Sequence, residues 1–337
     1  MSEKVKHKLK GWLIVGAFPV GMAVAAELIC LAATGSHMII SSVDLSSFVK
    51  NVFILTLSGI ALSLGMASGR MDFSLGAQRL VACLIGCNIA LRLDLGGIWV
   101  LLFAIIFGML AGVVSGLIFI AFRIPSMVSG LGVALIFESV TFIFSDGEGL
   151  HFFGNAGLNI LSSTAFVTVF CLVVIVIVTV IYSYTSFGYH YQAIRGNQKI
   201  AFNSGIKVFG NVIICYIIGG SLMGISGVLD TVYKGSMSSV TGMASVSVAF
   251  YSIVGVIIAM SYAKYVSLPI AVFTVTIGLQ CMSSAITALR INASGANAIQ
   301  MLFLLGFAFV TYQLEQRHHR RLVSERIREA QKLWAQK

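Results

Sequence analysis

The chain has 337 residues, of which 58% are hydrophobic and only 10% are charged, and its mean hydropathy is +0.96. A soluble domain carries about a quarter charged residues, so this composition excludes an ordinary soluble protein. Several apolar runs reach the roughly 18 residues that a helix needs to cross a bilayer. Because backbone groups in lipid must satisfy one another, we predict an all-α polytopic membrane protein with helices rather than barrel strands.

The net charge of +10 is explained by topology and does not indicate a nucleic-acid partner. With both termini in the cytoplasm, eleven Lys and Arg residues before Gln313 and seven after it lie inside, which makes 18 of the 22. This is the inside excess of basic residues expected of membrane proteins. The ten predicted spans lie at about 11–34, 48–67, 75–93, 97–121, 127–145, 163–184, 210–229, 244–262, 266–287 and 296–314.

The motifs of common enzymes are absent from the sequence. There is no phosphate-binding G-x-x-x-x-G-K-[ST] loop, no H-E-x-x-H and no G-x-S-x-G. The six cysteines lie inside apolar runs without a C-x-x-C pair. We therefore expect a conduit rather than an enzyme, with no cofactor in this chain.

Three segments carry a family resemblance. Residues 51–78 contain Asn51, then G-I, L-G-M and the spaced Gly69, Asp72, Ser74 and Gly76 of an N-I-L…G-I-L-A-L-G-M…G-G-I-D-L-S-V-G pattern. Residues 122–147 add Pro125, Leu131-Gly132 and a turn at Asp146-Gly147, and 185–208 add a T-x-F-G…A-I-x-G-N…S-G-I loop. In this order they resemble the permease subunits of bacterial ABC importers of the ribose and simple-sugar type, a family that also contains branched-chain amino acid and nucleoside permeases.

The polar segment 185–208 is basic, has no acidic residue and is expected to face the cytoplasm. We predict a short helix over 193–202 between Gly188 and Gly205, with Arg195 and Lys199 on one face. An amphipathic loop lying on anionic lipid is the plainer alternative. The resemblance implies a coupling helix that binds a separate ATPase, which carries the ATP and magnesium. The implied coupling residues are Phe187, Gly188, Ala193, Arg195, Gly196, Asn197, Lys199, Ala201, Ser204 and Gly205.

Four residues are candidates for the solute pathway: Asn51, Phe53, Asp72 and Glu138. Asp72 precedes the third span, where we expect it to cap the helix rather than pair with Arg70 or Arg79 at a gate. Glu138 lies inside an apolar span, and intramembrane carboxylates usually face protein or water. A hydrogen-bonded contact between helices is the alternative for Glu138, and ordinary core packing is the alternative for Phe53.

The outer loop and the tail complete the predicted organisation. Asp146 and Glu148 lie in the long outer loop and are candidates for docking a periplasmic or lipid-tethered solute-binding protein, although a plain solvated loop is equally consistent. Residues 1–314 form one permease domain. Residues 315–337 form a basic cytoplasmic tail with one apolar stripe, typical of a helix in the membrane interface, and contact with the ATPase is the alternative.

These patterns predict an inner-membrane permease of an ABC importer for a sugar or similar small polar solute. The resemblance implies that it pairs with a second permease copy or paralogue, an ATPase and a binding protein. The rival hypothesis is a secondary transporter driven by an ion gradient, with Glu138 or Glu27 as its proton site. No internal repeat is evident in the sequence.

Overall fold

The computed structural model describes residues 3–152 and 156–289, together with isolated positions between 295 and 327. Two short strands, β1 (Leu150–His151) and β2 (Ser236–Met237), pair antiparallel within this otherwise helical region. The helices are α1 (Glu3–Thr34), α2 (Ser42–Met66), α3 (Leu75–Leu80), α4 (Asn88–Arg92), α5 (Gly97–Phe122), α6 (Ser126–Phe144), α7 (Asn159–Ser162), α8 (Thr164–Tyr184), α9 (Ser186–Gly196), α10 (Gln198–Asn203), α11 (Val208–Lys234), α12 (Ser247–Tyr262) and α13 (Leu268–Ala288).

Nine helical stretches in the described residues are long and apolar enough to cross a membrane, and they confirm the first nine predicted spans. The third runs from Leu75 to Arg92 through a π-helical segment, Val81–Cys87, that joins α3 to α4. The largest single boundary difference is at α2, which begins six residues before the predicted 48–67, and α11 ends five residues after the predicted 210–229. The tenth predicted span, 296–314, and the tail, 315–337, fall largely outside the described residues.

Helices α5 and α11 pack with their backbones in direct contact. A Cβ atom added to Gly108 would lie 2.3 Å from the Gly220 carbonyl oxygen, and one added to Gly112 would lie 2.2 Å from the Tyr216 carbonyl oxygen. Small residues let membrane helices approach this closely, and the gain in van der Waals contact replaces the hydrophobic driving force that is weak in lipid. These glycines therefore set the position of α11, which continues from the cytoplasmic segment.

Two sets of the described helices have the same order of elements, although no repeat is evident in the sequence. Each set has a long helix, an irregular connection, a shorter helix and another long helix: α2, α3 and α5 in the first set, α11, α12 and α13 in the second. Since the sets are offset by five spans, corresponding helices run in opposite directions. Their packing corresponds too, because α2 contacts α12 and α13 while α11 contacts α3 and α5.

The two shorter helices meet near their N-terminal ends. A Cβ atom on Gly76, in the first turn of α3, would lie 1.9 Å from the carbonyl oxygen of Ser245. Ser245 belongs to a 3₁₀ turn, Ala244–Val246, that leads directly into α12. Interrupted helices in matching positions of inverted repeats are where membrane transporters usually place their functional residues.

Candidate functional site

The cytoplasmic segment folds as two short helices, so the single predicted helix over 193–202 is wrong. Thr185 caps α9, its hydroxyl accepting from the Gly188 N–H at 3.3 Å. Asn197 lies between the helices with an extended backbone, and its Oδ1 caps α10 by accepting from the Ile200 N–H at 3.1 Å. Asparagine competes in this way for backbone groups and favours helix starts over helix interiors, which explains the break.

The predicted stop at Gly205 is confirmed, whereas Gly188 is not a stop. Gly205 has φ +82° and ends α10, with the Ile206 N–H donating to the Ala201 carbonyl at 3.2 Å. This is the left-handed helix ending that glycine favours. Gly188 instead lies in the first turn of α9, where an added Cβ would be 2.1 Å from the Tyr182 carbonyl oxygen. Glycine is needed at this position because α9 packs directly on the end of α8 and leaves no space for a side chain.

The break also separates the two basic residues that were predicted to share a helix face. Arg195 is near the end of α9, is half-buried and donates to the Tyr182 hydroxyl at 3.3 Å. Lys199 lies on α10 and is exposed. Only Lys199 of this pair presents its charge freely to the cytoplasm.

The membrane-facing side of α9 is fastened by contacts that the sequence analysis missed. Tyr191 is fully buried, and its hydroxyl donates to the Leu64 carbonyl of α2 at 2.8 Å. Burial raises the pKa of this phenol well above its ordinary value, so it remains a neutral donor. Asn211 of α11 donates to the Phe187 carbonyl at 3.2 Å. The spacing of Phe187, Tyr191 and Ile194 at i, i+4 and i+7 was the available signal for this buried stripe.

The predicted coupling residues divide between the two sides of the segment. Ala201 is buried against α11, and Phe187 is half-buried. The outer side of the segment, which faces away from the spans and into the cytoplasm, has large exposed apolar side chains beside Lys199. Among them are Ile200 at 65% and Phe202 at 61% exposed. The coupling residues exposed on this outer side are Ala193, Gly196, Asn197, Lys199, Ser204 and Gly205.

Asp72 occupies a buried polar cluster and holds the start of α3. Its Oδ1 accepts from the Ser74 N–H at 2.8 Å and the Ser74 hydroxyl at 2.6 Å, and its Oδ2 accepts from Gln78 at 3.2 Å. Gln78 also donates to Ser115 at 3.2 Å. Ser115 is seven residues before the end of α5 at Phe122, so the cluster lies about 10 Å inside that end, at 1.5 Å per helical residue.

Neither arginine considered as a partner for Asp72 pairs with it. Arg70 donates to the Ser68 hydroxyl at 2.9 Å. Arg79 forms a buried ion pair with Asp230, which also accepts from Lys234 at 2.9 Å near the outer end of α11. Arg79 was one of the eleven basic residues before Gln313 that were counted as cytoplasmic, and that count is wrong for this residue. Its side chain lies in the helix bundle, where Asp230 is its partner. Asp72 is not the cap that was expected, because the cap residue of α3 is Ser74 and Asp72 accepts from the N–H of Ser74 itself.

Glu138 is buried in α6 and binds the backbone at the start of the eighth span. Its two carboxylate oxygens accept from the Met243 and Ser245 N–H groups, each at 2.8 Å. These groups begin the 3₁₀ turn before α12, so the carboxylate satisfies donors that the helix leaves free. Its charge is also favourable at this positive helix end.

The other candidates are placed as follows. Phe53 lies in the core, with its ring stacked on Phe273 at a centroid distance of 5.9 Å. Asn51 is half-buried on α2. Asp146 and Glu148 are exposed on the outer loop, which β1–β2 pairing and a bond from the Phe152 N–H to the Gly235 carbonyl at 2.9 Å fasten to the end of α11.

The comparisons with known proteins agree with this architecture. The family described as "Branched-chain amino acid transport system / permease component" matches residues 45–310. The chain belongs to this family. It is therefore a transport permease by class and, with nine spans among its described residues, a multi-pass protein of the inner membrane.

Individual relatives are similar over part of their length. The D-allose transport system permease protein AlsC of Escherichia coli (strain K12) is 28% identical over 181 residues, covering 51% of this chain and 54% of AlsC. The autoinducer 2 import system permease protein LsrC of Klebsiella pneumoniae subsp. pneumoniae is 24% identical over 224 residues, covering 65% of this chain and 64% of LsrC. The chain thus spans about half to two thirds of the length of these relatives.

A solved structure confirms the fold alone. It is described as an inward-facing conformation of a metal-chelate type ABC transporter, and it covers 88% of this chain and 98% of its own with a TM-score of 0.50. Sequence identity is 12%, so this likeness carries no information about the solute.

Proposed function

We propose that this chain is the permease subunit of an ABC importer that passes a sugar or similar small polar solute into the cytoplasm. The observation that carries the proposal is the α9–α10 segment. It is fastened to the spans on one side by Tyr191 and Asn211 and exposes apolar and basic side chains on the other. A helix pair built in this way suits transmission of motion from a cytoplasmic partner. The transport roles in the names of AlsC and LsrC support a sugar-like solute.

The rival secondary transporter is disfavoured by the positions of its two candidate proton sites. Both oxygens of Glu138 are occupied by backbone N–H groups. Glu27 accepts from the Met38 N–H at 3.1 Å and pairs with His37, which fastens the connection between α1 and α2. A carboxylate that carries protons in transit has to release such partners in every cycle, which is costly for the buried Glu138, whereas Glu27 is half-exposed and serves this connection.

The partners follow from the same proposal. A separate ATPase subunit, which carries ATP and magnesium, binds the outer side of α9–α10, where exposed apolar residues surround Lys199. A solute-binding protein docks on the outer loop, where the exposed carboxylates of Asp146 and Glu148 suit basic side chains. A second permease, identical or paralogous, completes the pathway.

Gly196→Trp tests the proposal. A Cβ atom at Gly196 meets no atom within 4 Å, so the variant retains its fold. A bulky side chain on the outer side of the segment has no space against a bound ATPase, and we expect at least a tenfold loss of ATP-dependent uptake with weaker ATPase co-purification.

Thr179→Val, within the membrane part of α8, is the matched control and retains uptake. Normal uptake and ATPase binding by Gly196→Trp would contradict the assignment of this segment. Concentrative uptake by the chain alone in proteoliposomes, driven by an imposed proton gradient without ATPase, would contradict the importer itself.

A further inference from the structure

Tyr191 connects the cytoplasmic segment to several spans at once. Its ring packs in a buried cluster at the ends of several helices. The other members are Leu64 of α2, Ala67 directly after α2, Tyr182 of α8, Cys215 of α11 and Leu268 of α13. The ring of Tyr182 meets it edge-on at a centroid distance of 5.4 Å. The side chain is thus seated where the ends of four spans converge.

The polar contact of Tyr191 is directed to one of these spans, α2. Its hydroxyl donates to the Leu64 carbonyl at 2.8 Å, and the Ser68 hydroxyl donates to the same oxygen at 3.0 Å. The last carbonyl groups of a helix have no partner within the helix, so side chains that bind them determine how the helix ends. The coupling segment therefore helps to determine where α2 ends.

The connection that follows α2 leads directly to the interrupted third span. It reverses at Gly69, which has φ +77°, and reaches Asp72, whose carboxylate holds the start of α3. At Gly130, an added Cβ atom would lie 2.8 Å from the Phe73 nitrogen, so this end is also packed against α6. A displacement of residues 67–74 must consequently move α3, α6 or both.

The connection leaves only a small void on its side facing α11. A cavity of about 20 Å³, roughly the space of one water molecule, is lined by residues of α2, the connection and α11, among them Gly65, Arg70, Asp72 and Tyr216. Close-packed protein interiors have low compressibility and transmit strain. The connection is therefore clamped at both ends and packed between them, so a displacement at one end is passed to the other.

We propose that Tyr191 is a positioning residue that transmits motion of the coupling segment to α3 and α6 through the end of α2 and residues 67–74. This inference rests on the proposed function, because it takes an ATPase bound to α9–α10 as the source of the motion. The hydroxyl of Tyr191 is the specific link, since it ties the position of α9 to the Leu64 carbonyl.

Tyr191→Phe tests this link because it removes the hydroxyl and retains the aromatic packing. In the complete complex with ATPase and binding protein, we expect ATPase binding and basal ATP hydrolysis to remain within twofold of the parent. Solute uptake per ATP hydrolysed falls at least fivefold. Tyr189→Phe is the matched control, because Tyr189 lies on the same helix but is exposed, and its uptake per ATP is unchanged.

Amide hydrogen exchange over residues 67–74 provides a second measurement. Its response to ATP would not change if Tyr191 only stabilised the fold. In the parent complex, ATP binding alters exchange in this connection, and in Tyr191→Phe the alteration is lost. Uptake per ATP equal to the parent, or a loss as large in Tyr189→Phe, would overturn the inference.

The two proposals fail in different ways. If Gly196→Trp abolishes uptake while Tyr191→Phe transports normally, the coupling segment stands and the route through Tyr191 is wrong. If Gly196→Trp transports normally and binds ATPase, the proposed function itself is wrong.

Discussion

Glu138 shows how a residue can be identified from the sequence while its role is set by structure. A carboxylate in an apolar span attracts attention because burying it is costly. The sequence alone does not reveal that residues about a hundred positions later supply two N–H donors. Asp72 was easier to interpret, because its partner Ser74 is two residues away and local spacing already indicated a helix start.

We expect Glu138→Gln to destabilise the protein without uncoupling transport from ATP. The amide retains one acceptor oxygen but places its NH₂ group toward a second N–H donor, so one charge-assisted hydrogen bond is lost. Such bonds contribute about 1.5–3 kcal/mol, and thermal unfolding in detergent should show a loss of this size.

Glu148→Gln is the control for this prediction. Its carboxyl group is exposed on the outer loop, so the unfolding temperature stays at the parent value. A Glu138→Gln protein with unchanged stability would show that the helix start does not depend on the carboxylate. Loss of concentrative uptake with preserved solute exchange would instead support the rival proton carrier.

At the scale of helices, hydropathy predicts where the chain crosses the bilayer. Local sequence predicts much less about how the segments outside the bilayer fold and pack. Within the part of the chain that the structure describes, nine predicted apolar runs form nine spans, because a bilayer demands long helices wherever the chain crosses it. The break at Asn197 and the buried stripe of α9 depend instead on caps and on contacts with α2 and α11. Those contacts join distant parts of the chain, and single-sequence periodicity cannot reveal them.

The close approach of α5 and α11 gives a prediction at this scale. A Cβ atom at Gly220 would lie 2.1 Å from the Gly108 carbonyl oxygen, so Gly220→Val forces the two backbones apart. Overpacking of this kind costs about 1–3 kcal/mol, and we expect a lower unfolding temperature and less folded protein in the membrane.

Gly210→Val is the matched control on the same helix. Gly210 has no atom within 4 Å of an added Cβ, so the substitution leaves the unfolding temperature within error of the parent. Equal stability of both variants would mean that the glycine contact does not hold α11 in place.

For the whole molecule, charge predicts orientation but not symmetry. Loops carry the basic residues that set which side faces the cytoplasm, and that signal is additive along the chain. The relation between α2, α3, α5 and α11, α12, α13 appears only in their packing, since lipid accepts many apolar sequences for the same helix. Even the irregular connections differ, with eight residues after α2 and twelve between Lys234 and Ser247. A shared architecture can therefore persist without a visible sequence repeat.

Orientation gives the last prediction. The described cysteines are all buried, which shields their thiols from a bulky reagent, so single cysteines introduced at exposed sites can be labelled selectively. Gln198 begins α10 and Glu148 lies on the outer loop, and a single span, α8, separates them, so the two sites lie on opposite sides of the membrane. The basic residues around Gln198 place it inside.

A membrane-impermeant maleimide added to intact cells should label a cysteine at 148 and not one at 198. After permeabilisation both should react, which controls for access. Labelling at 198 in intact cells would invert the orientation, placing the α9–α10 segment where no cytoplasmic ATPase could reach it.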